Sequence, residues 1–537
     1  MAKYVFVTGG VLSSVGKGVS VASLGRILKS RSYVVGAQKL DPYLNAEPGI
    51  MSPAQHGELF VTKDGAATDL DLGHYERLID VELTRFSSVS AGQVYRSVLE
   101  KERHGEYLGG TIQVVPQLCD EIKRLIRRGA DASEADIAIV EVGGTVGDIE
   151  GQPFLEAIRQ MRNEEGRDNV VYIHVTFLPY IAATHELKTK PTQHSVNELR
   201  RIGIQPDVIL CRSDHPVSDP IREKISLFCD VPVEAVVPLV TSETIYEVPL
   251  LLEEAGLGDF LTSRLGLPQA SPDLDSWRNL VERLRSEREP VHIALVGEHI
   301  QLKDAYYSTR EALVHAALAQ EREVIVQWID SRLLADGDLT PLRQAQGIIA
   351  PDSSHYSSLQ GLIAAAGYAR TMNIPFFGIG IGMHAMTIEF ARSVAGIENA
   401  HSTQFSDTTT NPVVERTVAP DEAGLRCGTY PCKLVPGTAA AAAYGAELSF
   451  ERHRHSHELN THYRKPLRDA GLVPSGVSAD DGFIDIVEVR DHAWMLGCQF
   501  NAEFKSRPDH AHPLFAAFIN AAKDVLVEGA QTSLPIN

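Results

Sequence analysis

The amino-acid sequence predicts an α/β protein in which a P-loop-type parallel-sheet domain is followed by a second α/β domain. Apolar strand-like runs alternate with helical ones through the first half, the pattern of a parallel sheet that binds its ligands at the carboxyl ends of the strands. A glycine-rich turn, Gly9 to Val19, joins the first strand to the first helix. After a polar, charged stretch a new strand starts at Val291, and the alternation resumes nearly to the end. The expected organisation is a first domain over 1–266, a linker containing one helix over 267–290, and a second domain over 291–537.

Composition bounds the function. A chain of 537 residues is too long for one core, and 44% apolar residues suffice to bury several. The formal net charge of −20 argues against a nucleic-acid surface, so any polyphosphate site must gather its lysines locally. Six cysteines without metal-ligand spacing suit free thiols in a reducing cytosol. No apolar run approaches membrane-spanning length, and residues 1–10 read as a strand rather than a signal peptide, so a cytoplasmic protein without a membrane partner is expected.

In chain order, the strand Tyr4 to Val7 runs into the glycine turn, and Ser20 to Lys29 reads as the helix that follows. Backbone N–H groups in such a turn, aided by the helix dipole, favour a phosphate. Lys17 supplies the cation for the outer phosphates, and the hydroxyls of Ser13 and Ser14 lie within reach of phosphate or Mg²⁺. The spacing departs from the usual motif, with five residues between Gly10 and Gly16 and with Gly18 where Ser or Thr is expected. The strand Val34 to Gln38 precedes Lys39-Leu40-Asp41-Pro42-Tyr43, and Asp69 to His74 forms an acidic turn. Glu141 closes the strand Ile137 to Val142 before Gly143 to Glu150. Carboxylates beside a P-loop are what Mg²⁺ requires, and Asp71 and Glu141 are the chosen pair. Further strands are read at Val171 to Phe177 and Val208 to Cys211, with helices at Pro116 to Arg128, Phe154 to Arg162 and Gln193 to Ile202. The run Lys188-Thr189-Lys190-Pro191-Thr192-Gln193-His194, with Lys224 further on, offers cations, hydroxyls and an amide for a second polyphosphate and a base edge.

Several of these blocks, in order, resemble the CTP synthase family over essentially the whole chain. They are Phe-Val-Thr-Gly-Gly at 6–10, Ser-Ser-x-Gly-Lys-Gly at 13–18, Lys-Leu-Asp-Pro-Tyr at 39–43, and Asp-Leu-Asp-Leu-Gly-His-Tyr-Glu-Arg at 69–77. Gly-Gly-Thr-Val-Gly-Asp-Ile-Glu at 143–150, Lys-Thr-Lys-Pro-Thr-Gln-His-Ser-Val at 188–196 and Cys-Arg-Ser-Asp at 211–214 complete the set. The resemblance implies an amidoligase that transfers the γ-phosphoryl of ATP to O4 of UTP, after which ammonia displaces that phosphate at C4 to give CTP. It implies that Ser14, Val15, Gly16, Lys17, Gly18 and Val19 bind ATP phosphates together with Asp71, and that Asp71 and Glu141 hold Mg²⁺. Ser13, Lys188, Thr189, Lys190, Pro191, Thr192, Gln193 and Lys224 would bind UTP; Asp148, Ile149 and Glu150 would serve the site where product CTP inhibits. Lys17 and Lys39 would steady the charge in flight, and a homotetramer with UTP sites at subunit contacts is implied. Such chemistry leaves positioning and electrostatics to the protein and needs no nucleophilic side chain in this half. Departures are Glu47 for Asp, His104-Gly105-Glu106 for a basic-Gly-Asp step, Gln117 for His, His185 for Gly, and Val240-Thr241 for a Lys-Asp pair. Residues 52–59 still resemble the family's ammonia passage.

In the family the second half is a class I glutamine amidotransferase with a Cys-His-Glu triad. Its Gly-Ile-Cys-Leu-Gly-Met-Gln elbow is here Gly378-Ile379-Gly380-Ile381-Gly382-Met383-His384, so no thioester can form at Gly380. Phe-His-Pro-Glu-Phe has become Phe500-Asn501-Ala502-Glu503-Phe504; the amide of Asn501 cannot act as a general base and leaves Glu503 nothing to orient. The oxyanion loop Pro-Gly-Gly-Phe-Gly is Pro351-Asp352-Ser353-Ser354-His355, and a carboxylate at 352 opposes a developing oxyanion. Gln404 and Ser456 replace a Glu and an Arg that hold glutamine, and Ser357 replaces an Arg tied to GTP activation. Cys427 and Cys498 sit on no elbow, Gly378, Gly380 and Gly382 have the wrong spacing for NAD, and the resemblance accounts for His453 and His455 without a metal.

The expected function is ATP- and Mg²⁺-dependent amination of UTP, or a close analogue, with free ammonia. Two alternatives are a different amine delivered through the remodelled second domain, and a non-catalytic nucleotide-binding paralogue that regulates or co-assembles with an active synthase.

Overall fold

The structure, a computed structural model, describes residues 2–46, 49, 51–52, 56–352, 358–416 and 424–526. The chain forms two compact units, residues 1–50 with 71–285 and residues 51–70 with 286–537.

The first unit is built on seven parallel strands: β1 (Lys3–Gly9), β2 (Val35–Asp41), β3 (Ser88–Ser90), β4 (Ile137–Val142), β5 (Val170–Phe177), β6 (Val208–Ser213) and β7 (Val236–Val240). Their order is β7-β6-β5-β1-β4-β2-β3. Helices cover both faces, which is why the strands read as continuous apolar runs rather than alternating ones. The sheet grows to one side of β1 through β2–β4 and to the other through β5–β7, so the reversal opens a crevice above the carboxyl end of β1. Among the boundaries that differ from the sequence reading, two bear on the glycine turn and on Lys39. β2 continues beyond Gln38 to Asp41 because Lys39 and Asp41 stay in register with Ser88 and Ser90 of β3. Helix α1 (Lys17–Lys29) starts at Lys17, directly after Gly16, so Lys17 is its first residue.

The second unit holds nine strands: β8 (Pro290–Gly297), β9 (Glu323–Asp330), β10 (Gly347–Ala350), β11 (Phe376–Ile379), β12 (Arg426–Leu434), β13 (Leu448–His455), β14 (Leu472–Ser478), β15 (Ile484–Val489) and β16 (Met495–Cys498). Their order is β9-β8-β10-β11-β16-β15-β14-β12-β13, parallel from β9 through β16 and antiparallel beyond. Residues 51–70 pack into this unit. The Phe60 ring lies 4.8 Å from that of Phe504, Arg452 donates to the Val61 carbonyl at 3.1 Å, and Glu58 accepts from the Ser308 N–H at 2.7 Å and from its hydroxyl.

Helix α2 (Lys190–Ile202) is pinned beside β1 by His174 of β5, whose Nδ1 meets Thr8 Oγ1 at 2.8 Å and whose Nε2 meets Ser195 Oγ at 3.0 Å. Burial, with the Lys17 charge nearby, pushes this imidazole down to about 3. The unfolded chain, with its histidine near 6.5, takes up a proton first, so the contribution is whole above that value and lost as pH falls towards 3. Urea unfolding at pH 7 and pH 5 should show the native chain losing about 2 kcal/mol more than His174→Gln; equal losses would show that this histidine does not govern acid sensitivity.

Candidate active site

Register assembles the first site. Glu141 of β4 stands level with Val7 of β1 on one side and Lys39 of β2 on the other. Asp71 opens a one-turn helix, Asp71–Tyr75, that packs against the start of α1. A Cβ on Gly18 would lie 2.1 Å from Asp71 Oδ1, which accounts for glycine where the usual motif has a hydroxyl residue. Lys39 Nζ donates to Asp71 Oδ2 at 2.5 Å, Lys17 Nζ donates to the Gly144 carbonyl at 2.6 Å, and the Tyr75 hydroxyl donates to Glu141 Oε2 at 2.5 Å. Burial, then the neighbouring Asp71, pushes Glu141 up to about 7. Burial also acts to raise Asp71, but Lys39, His74 and Lys17 outweigh it and hold that carboxyl below its usual value. Lys17, Lys39, Asp71 and Glu141 therefore share one buried crevice.

The pair of carboxylates fits Mg²⁺. Both offer hard oxygens, and their mutual repulsion is the tension that a divalent cation relieves. Among the described residues no group of three or more His, Cys, Asp or Glu could hold a metal ion, so phosphate and water oxygens would complete the shell.

The remaining residues of the first site divide by exposure. Ser13 and Ser14 are exposed on the turn and Val15 is buried under it, with Gly16 and Val19 half-buried. Lys188 is paired with Glu186, which is held down by that hydrogen bond and further by Lys224, so the two lysines flank one carboxylate. Lys190 is exposed, with its Nζ 5.6 Å from the Phe228 ring. Pro191 opens α2, the Thr192 hydroxyl donates to Thr176 at 3.0 Å, and the Gln193 amide donates to Thr189 Oγ1 at 3.1 Å. These last polar groups are turned inward. Asp148 folds back to accept from Thr145 N–H and hydroxyl at 2.6 and 2.8 Å, leaving Ile149 and Glu150 exposed beside it. Residues 211–214 include a neighbour whose role was missed: Arg212 Nη1 comes within 2.9 Å of where a Cβ on Gly16 would stand. Tyr75 and His74, within 69–77, also reach the site, through the Tyr75 bond to Glu141 and the effect of His74 on Asp71.

In the second unit β11 ends at Ile379, and Gly380 alone separates it from helix α4 (Ile381–Ser393). An earlier helix of this unit, α3 (Tyr307–Ala319), carries Ser308. Gly380 adopts φ 52° and ψ −110°, the strained strand-to-helix elbow that places a nucleophile in related folds. Asp352, at the end of β10, fills the space a side chain would need: a Cβ on residue 380 would lie 2.5 Å from its Cγ. Asp352 Oδ1 accepts from the Ile381 N–H at 3.2 Å, the donor that would otherwise face an oxyanion. Asn501 Nδ2 donates to Asp352 Oδ2 at 3.4 Å and to Glu503 Oε1 at 3.2 Å. His384 is buried, with Nε2 against Gln499 Oε1 at 2.9 Å, and burial pushes it down to about 4. Burial holds the Cys498 thiol far above its usual value, while half-buried Cys427 lies 3.7 Å from Arg454 Nη1. His453 Nδ1 and His455 Nε2 meet at 2.9 Å, and Ser456 Oγ meets His457 Nδ1 at 3.0 Å. Gln404 is exposed. Glu47, Pro53, Ala54, Gln55, Ser353, Ser354, His355 and Ser357 lie outside the described residues.

Among the described residues no helix is long and apolar enough to cross a membrane. Comparison with known proteins matches residues 3–267 to the family described as CTP synthase N-terminus, and residues 301–521 to Glutamine amidotransferase class-I. A CTP synthase of Dehalococcoides mccartyi is 57% identical over 545 aligned residues, covering 100% of both chains. One from Roseiflexus castenholzii is 57% identical over 545 aligned residues, covering 100% of this chain and 98% of that one. Among solved structures, the Trypanosoma brucei CTPS glutaminase domain with bound acivicin gives a TM-score of 0.42 at 31% identity, covering 44% of this chain and 96% of that one. With blocks, crevice and full-length identity in agreement, the chain belongs to the CTP synthase family.

Proposed function

We propose that this protein aminates UTP at C4 with ATP, through a 4-phosphorylated intermediate, and takes free ammonia rather than glutamine. The observation that carries the reading is the contrast between the two sites: four charged groups converge in the first, and a carboxylate stands where a nucleophile on residue 380 would be. Lys17 and Lys39 offset the charge of the phosphoryl group as it moves from ATP to O4 of UTP. Ammonia then forms the C4–N bond, the C4–O bond to phosphate breaks, and CTP, ADP and phosphate result. Mg²⁺ held by Asp71 and Glu141 supplies further offset of phosphate charge when bound. Lys188 and Lys224 suit the UTP triphosphate, which needs cations beside a second triphosphate. The resemblance carries with it a homotetramer in the cytoplasm. An idle paralogue is a poorer reading, because nothing in the first crevice has lost its charge.

Incubation with UTP, ATP, Mg²⁺ and ammonium at alkaline pH should yield CTP and ADP, and glutamine in place of ammonium should yield none. Glutamine-driven CTP synthesis would refute the reading, and an amine that outruns ammonium in a panel would replace ammonia as the nucleophile. Gly18→Ala drives a methyl group into Asp71, and misplacing that carboxylate should slow UTP-dependent ATP turnover on the order of 10²-fold. Gly380→Cys should lower stability by about 2 kcal/mol through overpacking against Asp352 and should restore no glutaminase. The double variant Gly380→Cys/Asp352→Gly should recover the stability and still lack glutaminase, because Asn501 is not a base.

A further inference from the structure

The second unit carries a buried cluster that the amination chemistry does not use. It joins the nine-stranded sheet to a small sheet of three strands, Ala400–Ser402, Asn411–Arg416 and His457–Leu459. Arg426 of β12 is the cation of the cluster, 1% exposed and stacked over the Tyr430 ring at 4.5 Å. Its Nη1 donates to Asp485 Oδ1 of β15 at 3.1 Å and its Nη2 to Ser478 Oγ of β14 at 2.8 Å. Two further carboxyl groups stand 3.5 Å off, Glu458 of the small sheet at Nη1 and Asp481 at Nη2. One positive charge thus faces three carboxyl groups. Asp481 is partly in water and Asp485 holds the hydrogen bond, so Glu458 is the one left over. It is 3% exposed, and neither of its oxygens has a hydrogen-bond partner. Its other neighbour is His455 of β13, whose Nδ1 lies 3.6 Å from Glu458 Oε1 and is also a buried atom without a partner. An ionised carboxylate sealed from water without a hydrogen bond is among the most costly groups to bury. A neutral acid costs less, and it has an O–H to offer Nδ1.

We infer that Glu458 is a proton-dependent clasp between the two sheets: as a neutral acid it presents its O–H to His455 beside Arg426, and on losing that proton it frees the small sheet to open. With the proton in place each imidazole has a consistent role. His455 accepts at Nδ1 and donates from Nε2 to His453 Nδ1 at 2.9 Å, and His453 keeps its own N–H on Nε2. Burial holds both rings far below their usual value, so neither supplies a countercharge. Glu415, opposite Glu458 in the small sheet, is met by Asn460 Nδ2 at 2.9 Å, and His457 is held down by burial and by Arg416. Burial, opposed by Arg426 and reinforced by Asp485 and Asp481, pushes Glu458 up to about 8, while Asp485 reaches only about 6. In an opened segment the Glu458 carboxyl returns to its ordinary 4.5. The clasp is therefore whole below 4.5, weakens about tenfold per pH unit above it, and contributes nothing beyond about 8.

Amide hydrogen exchange on the full chain, corrected for the chemical rate at each pH, reads the clasp on residues 411–416 and 457–459. Between pH 6.5 and pH 8, a window above the range of Asp485, native protection of these strands should fall about tenfold. Glu458→Gln, a neutral side chain of the same shape, should keep at both values the protection that the native chain shows at pH 6.5. Glu458→Ala should be poorly protected at both. Equal native protection at the two pH values would overturn the clasp. So would a Glu458→Gln chain that fails to fold or is less protected than the native one at pH 6.5, the outcome that a charged Glu458 paired with Arg426 requires. Glu503 of the same unit is pushed to a similar value, so a fall that persists in Glu458→Gln would belong elsewhere and overturn the clasp as well.

Discussion

Three buried charges, Lys17 at the start of α1, Lys39 on β2 and Glu141 on β4, meet the half-buried Asp71 in one crevice, and each is tolerable only because the others are there. A charge moved alone into such a crevice costs several kcal/mol, on the order of the stability of a whole domain. The local sequence follows from that constraint. Asp71 must come close enough to meet Lys39, so position 18 has no room for a side chain. Glu141 must be steadied without a second lysine bond, and the Tyr75 hydroxyl does it. Lys17, at the first turn of α1, reaches across to the Gly144 carbonyl and so ties the glycine turn to the loop after β4.

The second unit uses the same device, a strand running into a helix through a tight turn, and reaches the opposite outcome. Between Gly9 and Lys17 the turn is exposed only from Val11 to Ser14, and no carboxylate among the described contacts caps it. At Gly380 the helix start is met from within by Asp352. The elbow survives as backbone because glycine adopts φ 52° without a Cβ penalty, so the geometry no longer needs the strain that a larger residue there would bring.

Much of this was legible in the sequence, and the gaps have physical causes. Parallel strands buried on both faces announce themselves as apolar runs, so β1, β4, β5 and β6 were read near their true limits. The far end of β2 was missed because Lys39 and Asp41 are charged, and only the register with β3 and β4 shows why charge is allowed there. The antiparallel strands β12–β15 were not read individually, since their pairing is set by partners distant in sequence rather than by local period. At the site, residues 17, 71, 141, 352, 380 and 501 could be singled out from residue type and position in the chain. What they could not carry was direction: that Thr192 and Gln193 turn inward, that Asp148 folds onto Thr145, and that Asp352 fills the elbow.

Residues 51–70 make the two units inseparable as pieces of chain. The polypeptide leaves the first unit after residue 50, contributes a hairpin to the second, returns at residue 71, and departs again after residue 285. No single cut yields two self-sufficient fragments. A gene truncated at residue 285 would encode Phe60 and Val61 without Phe504 and Arg452, exposing an apolar strand pair prone to clumping, and one beginning at residue 286 would lack the carboxylate that receives Ser308. A single truncation therefore cannot remove the second unit without leaving behind residues 51–70, which belong to it.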